Sequence, residues 1–289
     1  MNIISASRRT DIPALYMDWF MSRLEAGFAR YPNPFGGTIH TVSLRPEDVH
    51  SIVFWSKHYG PLLAHLDAIL GRGYACCFHY TITAVRGNLE PHVPDWETGV
   101  RILKEVARRT SPSHVLWRFD PILLTDEWGP EYYLRRFREM SRALAGSTRR
   151  CYFSFVALYG KVSRRLAREN VNYREPDVEV KRSIAEAMAE MAQEAGMTLH
   201  ACCQEELVSP AVREARCIDG ELLAELFPDR PTVTELRPTR KGCGCMASRD
   251  IGMYDTCTLG CLYCYANQGR EVALKRRRSH DPCGEVLVG

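Results

Sequence analysis

A chain of 289 residues, 45% hydrophobic and 25% charged, carries enough apolar material for one large α/β domain or two small ones without disulfide staples. Its net charge of +3 tolerates anionic partners but does not argue for nucleic acid. The opening "MNIISASRRTDIPALY" lacks the apolar core of a secretory signal, and no apolar run is long enough to span a bilayer. The expected address is therefore the cytoplasm, with no membrane partner, where 12 cysteines point to metal or redox chemistry instead of a disulfide framework.

In chain order, "NIISAS" reads as a short buried strand. "PALYMDWFMSRLEAG" follows as a helix with Leu15, Trp19, Phe20 and Leu24 on one face. "RYPNPFGGTIHTVSL" is rich in turn formers and reads as a hairpin or an excursion. Strand and helix then alternate: "VHSIVFWSK" with "YGPLLAHLDAILGRG", and "YACCFHYTIT" with "DWETGVRILKEVARRT". "HVLWRFDPILL" pairs with "PEYYLRRFREMSRALAG" and "RCYFSFVAL" with "EPDVEVKRSIAEAMAEMAQEAG", before "MTLHACC" and "DGELLAELF" close the series. The helices keep their period, with Trp96, Val100, Leu103 and Ala107 in one stripe and Ile184, Met188, Met191 and Ala195 in another.

About six such units predict an α/β fold, a (β/α) barrel or partial TIM-like barrel of parallel strands, with residues 1–227 as its body. Residues 228–289, rich in Cys, Gly and Arg, break the alternation and read as a metal-binding segment that completes the barrel. Chemistry in such folds gathers at the C-terminal strand ends. There the sequence places Arg8, Arg9 and Asp11, then Ser56 and Lys57, then Arg118 and Asp120, and later Ser154 and Cys203.

The densest chemistry lies in "YDTCTLGCLYCYAN", where Cys257, Cys261 and Cys264 follow a C-x3-C-x2-C spacing. Iron–sulfur clusters are held by thiolates, and three of them leave one iron of a [4Fe–4S] cube open to another ligand. Zinc is the rival, with Cys261 and Cys264 paired to Cys243 and Cys245.

"CTLGCLYCY" resembles the signature of the radical S-adenosylmethionine superfamily, with Tyr263 in its aromatic place. That resemblance implies a [4Fe–4S] cluster on Cys257, Cys261 and Cys264, with S-adenosylmethionine chelating the fourth iron. It also implies reductive cleavage to a 5′-deoxyadenosyl radical that abstracts hydrogen. "WRFDPILL" around Asp120 and "WSKH" around Lys57 are similar to motifs of the spore photoproduct lyase branch, which makes Lys57 the candidate contact for the cofactor's carboxylate. Ser56 stands where that branch has threonine, and His58 where it has serine. Over nearly its whole length, through "SRRTDIP", "CID" and the terminal cysteine motif, the chain resembles the family DUF1848. The cysteine loop comes last instead of first, which implies a circularly permuted barrel in which "DIGMYD" lies beside "NIISAS".

Four further thiols, Cys203, Cys217, Cys243 and Cys245, match the ligand count of an auxiliary Fe–S cluster, with zinc as the alternative and simple packing of Cys203 as the plainest account. Cys76, Cys77, Cys151 and Cys202 read as small buried hydrophobes, and Cys283 lies in the terminal tail. Arg8 and Arg9 suit either recognition of a carboxylate or phosphate or an ion pair with Asp11, and Arg118 with Asp120 has the same two readings. His79 and His200 read as hydrogen-bonded core histidines, and "KRRR" from Lys275 as a solvated basic face.

The expected protein is a radical S-adenosylmethionine enzyme acting on a small-molecule or macromolecular substrate, with Cys257, Cys261, Cys264, Asp120 and Arg118 in the chemistry. Lys57, Ser56, Tyr263, Arg8 and Arg9 are expected around the cofactor, and flavodoxin or ferredoxin is expected as electron donor. The other expectation is an Fe–S or zinc protein whose sites are structural or electron-carrying, with nucleic acid as a possible associate.

Overall fold

Parallel strands covered on both sides are written as nearly continuous apolar runs, and the central strands of this chain have that character. The computed structural model describes residues 1–85 and 87–289. The strands are β1 (Asn2–Ala6), β2 (Phe28–Pro32), β3 (Ile39–Ser43), β4 (Val49–Ser56) and β5 (Cys76–Thr81), followed by β6 (Val115–Ile122), β7 (Arg150–Phe155), β8 (Thr198–Ala201), β9 (Val212–Glu214) and β10 (Arg249–Asp250). The helices are α1 (Ile12–Leu15), α2 (Met17–Ala26), α3 (Gly60–Leu63), α4 (Leu66–Gly71) and α5 (Trp96–Arg109), then α6 (Pro130–Leu144), α7 (Gly160–Arg168), α8 (Val178–Glu194), α9 (Gly220–Leu226) and α10 (Arg270–Arg277).

Eight strands form one parallel sheet in the order β10-β1-β4-β5-β6-β7-β8-β9, while β2 and β3 make a separate antiparallel hairpin. The last strand lies beside the first, with Ile4 opposite Arg249 and Ser5 opposite Asp250. Residues 250–255 thus enter the sheet edge where the sequence expected them, although only Arg249 and Asp250 are extended.

Each strand divides its side chains between two faces. Ile52, Phe54, Phe78, Trp117, Phe119 and Phe153 join the helices in the main core, where Trp117 stacks on Phe137 at 5.1 Å. Ile3, Val53, Cys77, Leu116 and Tyr152 face the other way, under a cover drawn from residues 215–246. A third cluster, with Leu89, Leu123, Val156 and Leu259, packs around the cysteine loop at the strand ends.

The structure divides two expected helices. The first splits at Tyr16 into α1 and α2, because Asp11 caps a single turn whose C-cap is Tyr16. The segment after β4 likewise breaks into α3 and α4 at Ala64 and His65. Two elements within the barrel body escaped the sequence pattern, since α7 offers only Val162 and Leu166 as buried apolar residues and β9 has only Val212, while the expected β10 is shorter than its motif.

Candidate functional site

The polar strand-end residues organise around two carboxylates, Asp250 and Asp11. Asp250 accepts from Ser5 Oγ at 2.5 Å, Ser7 Oγ at 2.6 Å and the Arg8 amide at 2.8 Å, with the guanidiniums of Arg8 and Arg9 at 3.9 and 4.0 Å. The arginines therefore pair with Asp250. Asp11 instead accepts from Ser56 Oγ at 2.7 Å, the Lys57 amide at 2.8 Å and the Ala14 amide at 3.0 Å. A Cβ at Gly252 would meet Ser7 Oγ at 2.0 Å, so only glycine lets the chain leave β10 this close to the end of β1.

The cysteine loop starts there. Its neck is closed by the Asp255 amide donating to the Ala266 carbonyl at 3.1 Å and by the Gln268 amide donating to Asp255 Oδ1 at 2.5 Å. Asn267 donates to the Cys257 carbonyl at 2.6 Å, and Arg165 of α7 donates to the carbonyls of Cys264 and Asn267. Gly260 sits at φ +78, a left-handed turn that suits glycine and folds Cys261 back toward Cys257. Arg277 donates to Thr258 Oγ1 at 3.1 Å and Arg276 to the Tyr254 carbonyl at 3.2 Å, so two residues of the basic run brace this loop. Burial, then the Asp11 charge, raises the Cys257 thiol; burial also raises Cys261 well above the usual range, against the pull of Lys57. Cys264 contributes to the rise of Cys257, and Cys264 and Cys257 to that of Cys261.

Lys57, just past β4, is the cation of this group. Its Nζ donates to Glu90 Oε1 at 2.7 Å, with the Lys57 side chain 14% exposed and that of Glu90 6%. Glu90 also accepts from Thr83 Oγ1 at 2.9 Å and from the Tyr263 hydroxyl, and Lys57 Nζ lies 5.5 Å from the Tyr263 ring centroid. Burial pulls the ammonium down, but Glu90 and Cys261 more than offset it, so its pKa is raised. A cavity of about 380 Å³ opens beside the pair, lined by Lys57, Thr81, Thr83, Glu90 and Trp96 among others. Glu90 escaped the sequence reading because "GNLEPH" has neither periodicity nor motif to single it out.

Arg118 and Asp120 stand together on β6, and Ser154 of β7 donates to Asp120 at 2.5 Å. Asp120 adds a smaller share to the rise of the Lys57 pKa, after Glu90 and Cys261. Arg118 donates to Cys217 Sγ at 3.2 Å. There a second group of thiols meets. Cys202 and Cys217 are 3.7 Å apart, Cys203 borders Cys202 and Cys243, and Cys245 borders Cys243 and Cys217. Cys202 was expected to be a passive hydrophobe, but it belongs to this group. Among the described residues no group of three or more His, Cys, Asp or Glu side chains is placed to hold a metal ion as it stands.

The remaining candidates are placed more simply. Cys76, Cys77 and Cys151 are buried in strands, and Cys283 is exposed in a tail whose carbonyl accepts from Arg23 of α2 at 2.8 Å. His79 reaches the Cys217 carbonyl at 2.6 Å and His200 the Glu214 carbonyl at 3.2 Å. Burial is the main cause holding their pKa values down, to about 3 and about 4. Among the described residues no helix is long and apolar enough to cross a membrane.

With this geometry in hand, comparison with known proteins gives one match: the family model described as Domain of unknown function (DUF1848) covers residues 3–266. No curated protein and no solved structure matches the chain. The match spans both thiol groups and every strand of the sheet, and the chain belongs to the DUF1848 family.

Proposed function

We propose that this protein is a radical S-adenosylmethionine enzyme built on a partial, circularly permuted (β/α) barrel. The observation that carries the proposal is the juxtaposition of Cys257, Cys261 and Cys264, from one loop, with the buried ammonium of Lys57 at the C-terminal end of β4. The parallel sheet with its helices gathered against one face, and β10 beside β1, supports the barrel reading.

The donor set fits a three-thiolate [4Fe–4S] cluster. The loop holds three cysteines, its carbonyls are tied down by Arg165 and Asn267, and the Asp11 amide lowers the Cys257 proton affinity against burial. Cys257, Cys261 and Cys264 would hold the cluster, and the chemistry supplied there is reductive cleavage of S-adenosylmethionine and hydrogen abstraction from a substrate. Lys57 would present its charge to the carboxylate of S-adenosylmethionine, held in place by Glu90 and Tyr263. The cavity walled by Thr81, Thr83 and Trp96 would accept the nucleoside, with hydroxyls for its polar edge. Leu89, Leu123, Val156 and Leu259 would keep water from the loop, while Asp120 and Ser154 would position substrate across the rim. Flavodoxin or ferredoxin is the proposed class of electron donor.

The test is anaerobic. Iron- and sulfide-reconstituted protein is reduced, its EPR spectrum is recorded with and without S-adenosylmethionine, and 5′-deoxyadenosine is assayed in the same sample. The expected result is a cluster signal that changes with S-adenosylmethionine, together with deoxyadenosine that disappears in the Cys257→Ala/Cys261→Ala/Cys264→Ala variant. A cluster indifferent to S-adenosylmethionine would assign these thiols to electron transfer or architecture.

A further inference from the structure

The second thiol group has a use of its own. It is assembled from separate parts of the chain: Cys202 and Cys203 after β8, Cys217 after β9, and Cys243 with Cys245 in the covering segment. Neighbour by neighbour these thiols close a ring, from Cys202 to Cys203, Cys243, Cys245, Cys217 and back to Cys202. Cys203 has a left-handed backbone at φ 55, unusual for a residue with a side chain. Two successive residues can thereby turn their sulfurs into the same ring, where a regular extended chain would send them to opposite faces.

Cations gather on this ring. Arg118 reaches Cys217 at 3.2 Å with its side chain 9% exposed. Arg240 reaches Cys202 at 3.7 Å. Arg8, itself near Cys217 and Cys245, has a buried Nη1 with no hydrogen-bond partner. A buried guanidinium is costly unless negative charge offsets it. Asp120 and Asp250 supply part of that charge, and thiolates would supply the rest. Small buried hydrophobes would not need the guanidiniums of Arg8 and Arg118 packed against them, while Arg240 reaches in from an exposed position.

We infer that the ring is a second metal centre, a polynuclear iron–sulfur cluster held by Cys203, Cys217, Cys243 and Cys245, with Cys202 beside Cys217 and the guanidiniums of Arg8, Arg118 and Arg240 balancing its charge. Four thiolates at about 2.3 Å from one zinc ion stand about 3.8 Å apart, close to the 3.7 Å between Cys202 and Cys217, so spacing alone does not separate the two metals. Five sulfurs from three segments meet here, one more than a zinc ion takes, and a cluster gives each of four thiolates its own iron. The Arg118–Asp120 pair touches the ring at Cys217.

The test starts from the Cys257→Ala/Cys261→Ala/Cys264→Ala variant, reconstituted anaerobically with iron and sulfide. Metal is counted by mass spectrometry and iron state read by Mössbauer spectroscopy, with circular dichroism as the check on folding. The expected result is about four iron and four sulfide per folded chain, in the state of a [4Fe–4S] cluster. One tightly held zinc that iron does not replace, or a folded chain without iron, would overturn the inference. In the otherwise intact protein, Cys217→Ser/Cys245→Ser is expected to lower the iron by about four per chain, and unchanged iron would equally overturn it. Neither measurement uses S-adenosylmethionine, so the result is separate from the fate of the function proposed for the first thiol group.

Discussion

The two thiol groups lie on the same rim and are built in opposite ways. Cys257, Cys261 and Cys264 fall within eight residues of one loop, so the loop's own hydrogen bonds set their spacing. The other five arrive from three segments, and the sheet, the cover and a strained Cys203 must all be in place before they meet. The charge around them differs as well. Around the loop, Lys57 is held by Glu90, and Arg165, Arg276 and Arg277 bind backbone carbonyls and Thr258. At the ring, Arg118 and Arg240 reach the sulfurs of Cys217 and Cys202 themselves. Burial raises Cys257 and Cys261, while neighbouring Cys203 and Cys245 lower Cys243. A local loop can leave a ligand position open for an incoming molecule. A ring fixed by tertiary structure and already crowded with cations is suited to hold its occupant closed.

The largest break in this comparison should come at Lys57. Lys57→Met removes the partner of a Glu90 side chain that is 6% exposed, and stranding such a charge costs about 3–5 kcal/mol. Denaturant melts should show that loss, and deoxyadenosine formation should fall to background while the ring keeps its metal. Adding Glu90→Gln should restore most of the stability and none of the deoxyadenosine. Recovery of both would reduce Lys57 to a structural role.

Arg118→Gln should have an intermediate effect, about 2–3 kcal/mol, from the loss of charged hydrogen bonds to Asp120 and Cys217. With a cation removed from beside the ring, the second centre should become harder to reduce in a redox titration followed by EPR. The response of the loop cluster to S-adenosylmethionine should be unchanged. Equal shifts at both centres would mean that Arg118 serves the rim as a whole.

How much of this was legible in the sequence follows the same division. The strand–helix alternation gave the parallel sheet, because strands such as "CCFHYT" and helices such as "WETGVRILKEVARR" carry their periods openly. The loop thiols and Lys57 were legible because each sits in a short contiguous motif. Glu90 was not, since its role arises only where it meets Lys57, Thr83 and Tyr263. The partner of Arg8 and Arg9 was misjudged for the same reason: Asp11 is near in sequence, but Asp250 is brought to them by the pairing of β10 with β1. Arg118 was expected at the strand ends beside the loop, and the structure turns it to Cys217 of the other thiol group.

The smallest expected effect is the sharpest test of the ring, because it sets two adjacent cysteines against each other. Cys202 continues the alternation of Thr198 and His200 on β8 and lies 4% exposed in the second core, touching Cys217 and Arg240. Its S–H can donate to a Cys217 thiolate, a supporting bond that a cluster with four other thiolates does not require. Cys203 is turned by its left-handed backbone toward Cys243, the thiol that its neighbours hold low. Cys202→Ala should therefore cost only about 1 kcal/mol and keep the full iron count, whereas Cys203→Ala should lose the second centre. If iron is lost equally from both variants, the ring uses Cys202 as a ligand and the choice of four is wrong. If it is lost from neither, the thiols gathered by the fold are packing, and the cations around them need another explanation.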